Sequence, residues 1–397
     1  MKSADKNTSV FPQGDLSHAE SRRRGAGGPR SVAAVLDRKG WKRVRLGDVL
    51  KNVGWCNSSH PQSRQVRQIT QGDYTGEISI TTVYYHPTHP VILFGDHTCN
   101  VKYIDFDCLI LGDGVKLLAP KREVFSMRFL YYLVQHMACK VPQGYARHLA
   151  ALKALECALP CYEDQLRIAT AITSIDTHIS ALESLIAKYE AIKKATVNLL
   201  LKPRDGWRIV PLGEICEVCS TRRVHESDWT DSGVPFYRAR ELVALNEGRP
   251  ITPLHISEKL YAELAASSGA ISSGDLLVTG VGSIGVPYLV KGRDKFYFKD
   301  GNIIWFKNRG KIWPDYFLHA FRSDHIQKQI EEMACVGTVG SYTITNGKRT
   351  LISLPPLPEQ KRIVAILDSI DGTIRGLKAQ LSKTKDIKKG MMSHFFG

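Results

Sequence analysis

Several short patterns in this 397-residue chain could carry chemistry, and their surroundings decide what each can do. Pro160-Cys161 is the dipeptide of a cytosine methyltransferase nucleophile, where a thiolate would attack the base. No cofactor-binding fingerprint accompanies it, and the Asn- or Asp-Pro-Pro-aromatic motif of an adenine methyltransferase is not found. Pro314-Asp315 with Glu359-Gln360-Lys361 spells a nuclease carboxylate pattern. The separation is long, and Glu359 stands where a helix begins, so its charge has a simpler role against the helix dipole. Cys216 and Cys219 form one Cys-x-x-Cys without the second pair of ligands that tetrahedral zinc requires. Gly280, Gly282 and Gly285 spell Gly-x-Gly-x-x-Gly, but a dinucleotide fingerprint must open a helix, and Val286 to Val290 reads as a strand. Such a turn can still bring backbone N–H groups to phosphate oxygens. No catalytic residue and no metal site are assigned.

What remains is binding chemistry. Arg64, Arg67, Gln68, Arg147 and His148 cluster in the first half of the chain, and Arg222, Arg223, Arg238, Arg240 and Lys299 in the second. Arg and Gln offer the paired hydrogen bonds that distinguish guanine and adenine edges in the major groove, although most contacts to DNA go to its backbone. With Gly282 and Ser283 of the glycine turn these are the candidate DNA-binding residues. Lys plus Arg number 54 against 39 Asp plus Glu, a formal charge of +15, which fits a polyanionic partner. No run of eighteen apolar residues or signal-peptide pattern is found, and the nine scattered cysteines suit reduced thiols, so a cytoplasmic protein is expected.

The elements that would position these groups come in duplicate. Trp41-Lys42-Arg43-Val44-Arg45-Leu46-Gly47 returns 166 residues later as Trp207-Arg208-Ile209-Val210-Pro211-Leu212-Gly213. Leu159-Pro160 to Gln165-Leu166-Arg167-Ile168 returns at a longer offset of 195 as Leu354-Pro355 to Gln360-Lys361-Arg362-Ile363, implying about 29 extra residues inside the second copy. In this pairing Cys161 matches Pro356, which weakens the nucleophile reading further. Two domains of one ancestry and different surface would produce this pattern.

After each proline-containing echo lies a heptad seam: Ile168, Ile172, Ile175, Ile179, Leu182, Ile186 and Tyr189, then Ile363, Leu367, Ile370, Ile374, Leu377, Leu381 and Thr384. An apolar stripe this narrow needs a partner with a matching stripe, and each copy offers one to the other. Either helix could alternatively pack on its own domain. Acids near each start and lysines near each end match the helix dipole. The expected fold is α+β, with two tandem domains separated by two long helices forming an antiparallel coiled coil. The expected boundaries are a disordered basic tail at 1–39, a first domain at 40–157, a helix within 158–204, a second domain at 205–352 and a helix within 353–397. Short strands are read at 91–94, 108–111, 275–278 and 302–306, and helices at 127–136 and 315–330.

With its twice-used Trp-x-x-x-x-Leu-Gly opening, its Gly282-Ser283-Ile284-Gly285 turn, its Leu354 to Ile363 element and its Lys388-Lys389-Gly390-Met391-Met392 ending, the chain resembles the specificity subunits of type I restriction-modification systems. The resemblance implies a non-catalytic subunit that binds a bipartite site in double-stranded DNA, one half per domain. It also implies that two methyltransferase subunits are held at the long helices, and that restriction subunits join the complex. Gln360 and Arg362 then fall with the seam residues at the coiled-coil and partner interface. S-adenosylmethionine and ATP would belong to the partners, and no cofactor to this chain. The recognition subunit of a fused restriction-methylation enzyme and a basic coiled-coil scaffold are the alternatives.

Overall fold

The computed structural model describes residues 40–54, 57–58, 64–72, 74–80, 84–85, 87–112, 114–142, 144, 146–292, 295–334 and 340–397. The basic tail read at 1–39 lies outside the described residues. The chain divides into two units, residues 1–175 with 387–397 and residues 176–386.

In each unit the strand of the opening echo pairs with the strand that leads into the second echo. Lys42–Arg45 pairs antiparallel with Glu156–Leu159, and Arg208–Pro211 pairs antiparallel with Leu351–Leu354. The Leu-Gly doublet that follows each opening strand has a packing reason. Leu46 and Leu212 are fully buried and donate their N–H groups to Leu155 O at 3.0 Å and Thr350 O at 2.9 Å. A Cβ at Gly47 or Gly213 would lie 3.1 Å from the carbonyl oxygen of Lys153 or Lys348, so only glycine fits without displacement. The closing strands straddle the domain boundaries read at 157 and 352, because they complete the domains before the helices begin.

Each unit then builds a four-stranded antiparallel sheet of the same order. In the first it runs Leu50–Val53, Val115–Pro120, Val91–Gly95, Val101–Ile104, and in the second Cys216–Cys219, Ile303–Asn308, Leu276–Thr279, Pro287–Leu289. Val91–Gly95 and Leu276–Thr279 are buried along their whole length, as apolar runs covered on both faces should be. The expected helix at 127–136 is Met127–Ala138, whereas that at 315–330 is two helices, Pro314–Phe321 and Asp324–Ala334. Ser323 makes the break: its hydroxyl donates to Ala320 O at 2.6 Å and accepts from Ile326 N at 3.4 Å. The extra length of the second copy is spread over several elements. Ala239–Asn246, Glu258–Ser268 and Asp324–Ala334 have no helical counterpart among the described residues of the first.

The two long helices span Tyr162–Leu200 and Leu357–Phe396. Every seam position is buried or half-buried: Ile168, Ile172, Leu182, Ile186, Ile363, Leu367, Ile374 and Thr384 are buried, and Ile175, Ile179, Tyr189, Ile370, Leu377 and Leu381 are half-buried. Ion pairs join Glu183 to Lys385 and Glu190 to Lys378, both at 2.7 Å, and Lys193 to Asp371 at 2.6 Å, so the helices run in opposite directions over this stretch. Both readings of the seam apply, in different places. Ile168 and Ile172 belong to the core of the first domain, as do Met392, Phe395 and Phe396. Ile363, Val364 and Leu367 belong to the core of the second, together with Val197 and Leu201. Each core is therefore closed by the first turns of one long helix and the last turns of the other.

Candidate nucleic-acid interface

The second domain gathers three of the expected contact residues around one open cleft of about 590 Å³. Arg240, Gly282 and Ser283 line it with Arg249 and Thr252. The turn carrying Gly282 joins the strands Leu276–Thr279 and Pro287–Leu289. Thr279 fixes it: its hydroxyl donates to Ser283 O and accepts from Val286 N at 3.0 Å. Gly282 and Gly285 have φ of +71° and +81°, where a side chain would be strained, and a Cβ on Gly280 would stand 2.6 Å from Tyr342 O. Gln327 donates to Gly285 O at 3.1 Å. The turn is thus rigid at its base, with Gly282 and Ser283 exposed.

Arg238 and Arg240 divide their roles through Glu241, which is 4% exposed. The Arg238 guanidinium gives Glu241 two hydrogen bonds, at 3.1 and 2.7 Å, and the Arg238 backbone N–H gives a third at 2.9 Å. Arg240 adds one at 2.8 Å while its side chain stays 68% exposed. Burial pushes the Glu241 carboxyl up, but the bonds from Arg238 and Arg240 outweigh it and hold the group below the usual carboxylate range. Arg238, expected to contact DNA, is therefore committed to the start of Ala239–Asn246, and Arg240 is the residue offered to a ligand. Arg222 is exposed and anchored through its backbone N–H to Tyr297 Oη at 2.9 Å. Arg223 pairs with Asp300 at 3.2 Å, and Lys299 is exposed with its N–H on Tyr237 O at 2.9 Å. Arg249 and Thr252 carried no sequence signal beyond a Gly-Arg-Pro turn.

In the first domain Arg67 and Gln68 lie on the strand Arg64–Ile69, with the exposed Arg67 guanidinium 4.7 Å from the centre of the Phe106 ring. Arg64 opens that strand, and its side chain is outside the described part. Arg147 is exposed. His148 is not a surface contact: it is 5% exposed, and its Nε2 lies 3.0 Å from Gly144 O. Gln360 also needs correction as an interface residue. Gln360 is 2% exposed, accepting from Trp313 N at 2.8 Å and donating to Pro355 O at 2.9 Å. Arg362 is exposed, with Glu359 at 3.6 Å.

The patterns that spelled chemistry are occupied structurally. Glu359 accepts from Trp207 Nε1 at 3.1 Å, Lys361 lies over the Trp313 ring and Asp315 pairs with Lys291 at 3.0 Å. Pro160 O accepts from Gln165 at 3.1 Å beside Cys161. Burial pushes the Cys216 thiol up to about 12 and raises that of Cys219. One group of three potential metal ligands occurs among the described residues: His319, Asp368 and Asp371, within 4.8 Å of one another. His319 Nε2 stands 3.1 Å from Asp368, and the Lys193 ammonium already sits 2.6 Å from Asp371, where it supplies the positive charge a metal would bring. Among the described residues no helix is long and apolar enough to cross a membrane.

Comparison with known proteins gives the duplicated architecture its family. A type I restriction enzyme specificity subunit of Haemophilus influenzae is 28% identical over 268 residues, covering 63% of this chain and 66%, just under two thirds, of the relative. The MjaX specificity subunit of Methanocaldococcus jannaschii is 23% identical over 320 residues, covering 72% of this chain and 71% of the relative. The fold is similar to the type I restriction-modification S subunit from M. genitalium, with a TM-score of 0.58 and 14% identity, covering 90% of this chain and 96% of that one. It is also similar to a chain solved in work on complex assembly and conformational transition of the type I R-M system, with a TM-score of 0.56, 18% identity and coverage of 90% and 97%. The model of the type I restriction modification DNA specificity domain matches residues 38–194 and again residues 204–384, so the chain belongs to that family and carries its domain twice.

Proposed function

We propose that the chain is the DNA sequence-specificity subunit of a type I restriction-modification complex. It reads an asymmetric bipartite site and directs methyltransferase and restriction subunits to it. The observation that carries this reading is the tandem specificity domain, in which one repeated scaffold presents two different polar surfaces. The antiparallel stretch of the long helices serves as a coiled-coil spacer and as the mount for two methyltransferase subunits. The subunit itself is non-catalytic, and S-adenosylmethionine and ATP act on its partners. Half-sites about 10 base pairs apart from centre to centre would present the same face of the duplex to both domains.

Single-molecule methylation mapping tests this in cells carrying the chain and its methyltransferase partner, against cells lacking only the chain. The expected result is a gapped, asymmetric methylated motif that disappears with the chain. A continuous palindrome, or motifs indifferent to the chain, would overturn it.

Within the complex, Arg240→Ala is expected to weaken binding to duplex DNA by about tenfold, the size of one lost charged contact. If Arg240 lies on a phosphate, the slope of log affinity against log salt falls by about 0.9 and all sequences weaken alike. If it reads a base, cognate DNA weakens selectively. Fluorescence anisotropy titrations at several salt concentrations separate the two, and unchanged affinity on every DNA removes Arg240 from the interface.

A further inference from the structure

The glycine turn of the second domain has a counterpart in the first that its sequence does not advertise. The turn between Val91–Gly95 and Val101–Ile104 occupies the same place in the same sheet as the one between Leu276–Thr279 and Pro287–Leu289. The backbone bonds match one by one. Gly95 N donates to Asn100 O at 2.9 Å as Thr279 N donates to Val286 O at 3.1 Å. Asp96 N donates to Gly114 O at 2.7 Å as Gly280 N donates to Asn302 O at 2.8 Å. Asp96 O accepts from His148 N at 2.8 Å as Gly280 O accepts from Tyr342 N at 2.8 Å. In both turns the residue before the closing position has positive φ, +56° at Cys99 and +81° at Gly285. The first turn is two residues shorter, so His97 and Thr98 take the place of the tip formed by Gly282 and Ser283.

The shorter turn is held as firmly as the longer. Thr98 Oγ1 donates to Gln71 O at 2.6 Å, Asn100 Nδ2 donates to the same oxygen at 3.3 Å, and the His97 backbone N–H donates to Gln71 Oε1 at 3.3 Å. His97 Nδ1 lies 3.1 Å from Ala146 O, which sets the ring against the residue preceding the exposed Arg147. An imidazole on the braced turn and a guanidinium on the loop it touches have the donors and acceptors that base edges require.

We infer that the Asp96–Cys99 turn is the DNA-reading turn of the first domain, with His97 and Arg147 determining bases in one half-site while Thr98 and Asn100 position them. This rests on the specificity-subunit reading and assigns residues to it. The test is methylation mapping with the full chain and its methyltransferase partner, comparing His97→Ala, Arg147→Ala and Ser283→Ala. His97→Ala and Arg147→Ala are expected to relax the same half-site, raising methylation at singly mismatched sites about tenfold relative to matched ones and leaving the other half intact. Ser283→Ala should relax only the other half. An unaltered motif in both first-domain variants overturns the assignment, as does relaxation of the half affected by Ser283→Ala. If His97→Ala abolishes methylation, His97→Asn decides: a changed half-site supports the assignment and an unchanged motif overturns it. Failure of the underlying reading looks different, because the motif would then be independent of the wild-type chain.

Discussion

Replacing Phe395 and Phe396 together with alanine is expected to unfold the first domain while leaving the second close to native. Both phenylalanines lie in the last turn of the second long helix, 3% and 8% exposed, inside the first domain's core. Phe396 meets the Phe129 ring edge-on at 5.4 Å, and His136 flanks it at 5.9 Å. Truncating a buried phenylalanine costs about 3–5 kcal/mol, so two in contact with one core approach the whole stability of a typical domain, about 5–15 kcal/mol. Hydrogen exchange on the intact chain reads the result locally. Amides in Val91–Gly95 and Val115–Pro120 should lose protection, while those in Leu276–Thr279 and Ile303–Asn308 retain it. Leu199→Ala, at a side chain 66% exposed, is the control and should change neither set. Uniform loss across both domains, or protection preserved in the first, would rule out a local closing role for the final turn.

Sequence pattern revealed the elements better than the joints between them. Heptad spacing identified both long helices because a narrow apolar stripe has one economical use, and the buried runs at Val91–Gly95 and Ile303–Asn308 stood out as strands. The two echoes were visible as repeats, but the pairing of the opening strand with the strand leading into the second echo was not, since strand partners far apart in sequence leave no local trace. Polar residues were misplaced for one consistent reason. His148 and Gln360 look like surface groups by type, yet a polar side chain whose hydrogen bonds are met inside the protein can be buried with little penalty, and the half-buried Arg238 spends its guanidinium on Glu241. The Gly280–Gly285 turn was legible through its glycines. Its first-domain counterpart reaches positive φ with Cys99, a residue that gives no such signal.

Gln360→Leu and Gln165→Leu should each destabilise their own domain by about 2–5 kcal/mol, because each removes one amide that satisfies two backbone groups at once. Gln165 is 2% exposed, accepts from Ser126 N at 2.9 Å and donates to Pro160 O at 3.1 Å, the arrangement that Gln360 makes with Trp313 and Pro355. In both copies the amide ties the start of a long helix to the N-cap of a domain helix, Met127–Ala138 or Pro314–Phe321. Leucine fills similar space but leaves the N–H and the carbonyl without partners, which is where the cost arises. Thermal denaturation with local hydrogen exchange should therefore show matching losses, in the first domain for Gln165→Leu and in the second for Gln360→Leu. Gln360→Glu adds a signed test. Its carboxylate can accept from Trp313 but cannot donate to Pro355 O, whereas the protonated acid can do both. Its folded-state pKa should lie above the unfolded value of about 4.3, so the protonated bond stabilises the variant below that value and is lost as pH rises through the folded pKa. If Gln360→Leu instead leaves stability unchanged and only releases a partner subunit, the glutamine serves the interface after all, and the matched clamp at Gln165 would need another explanation.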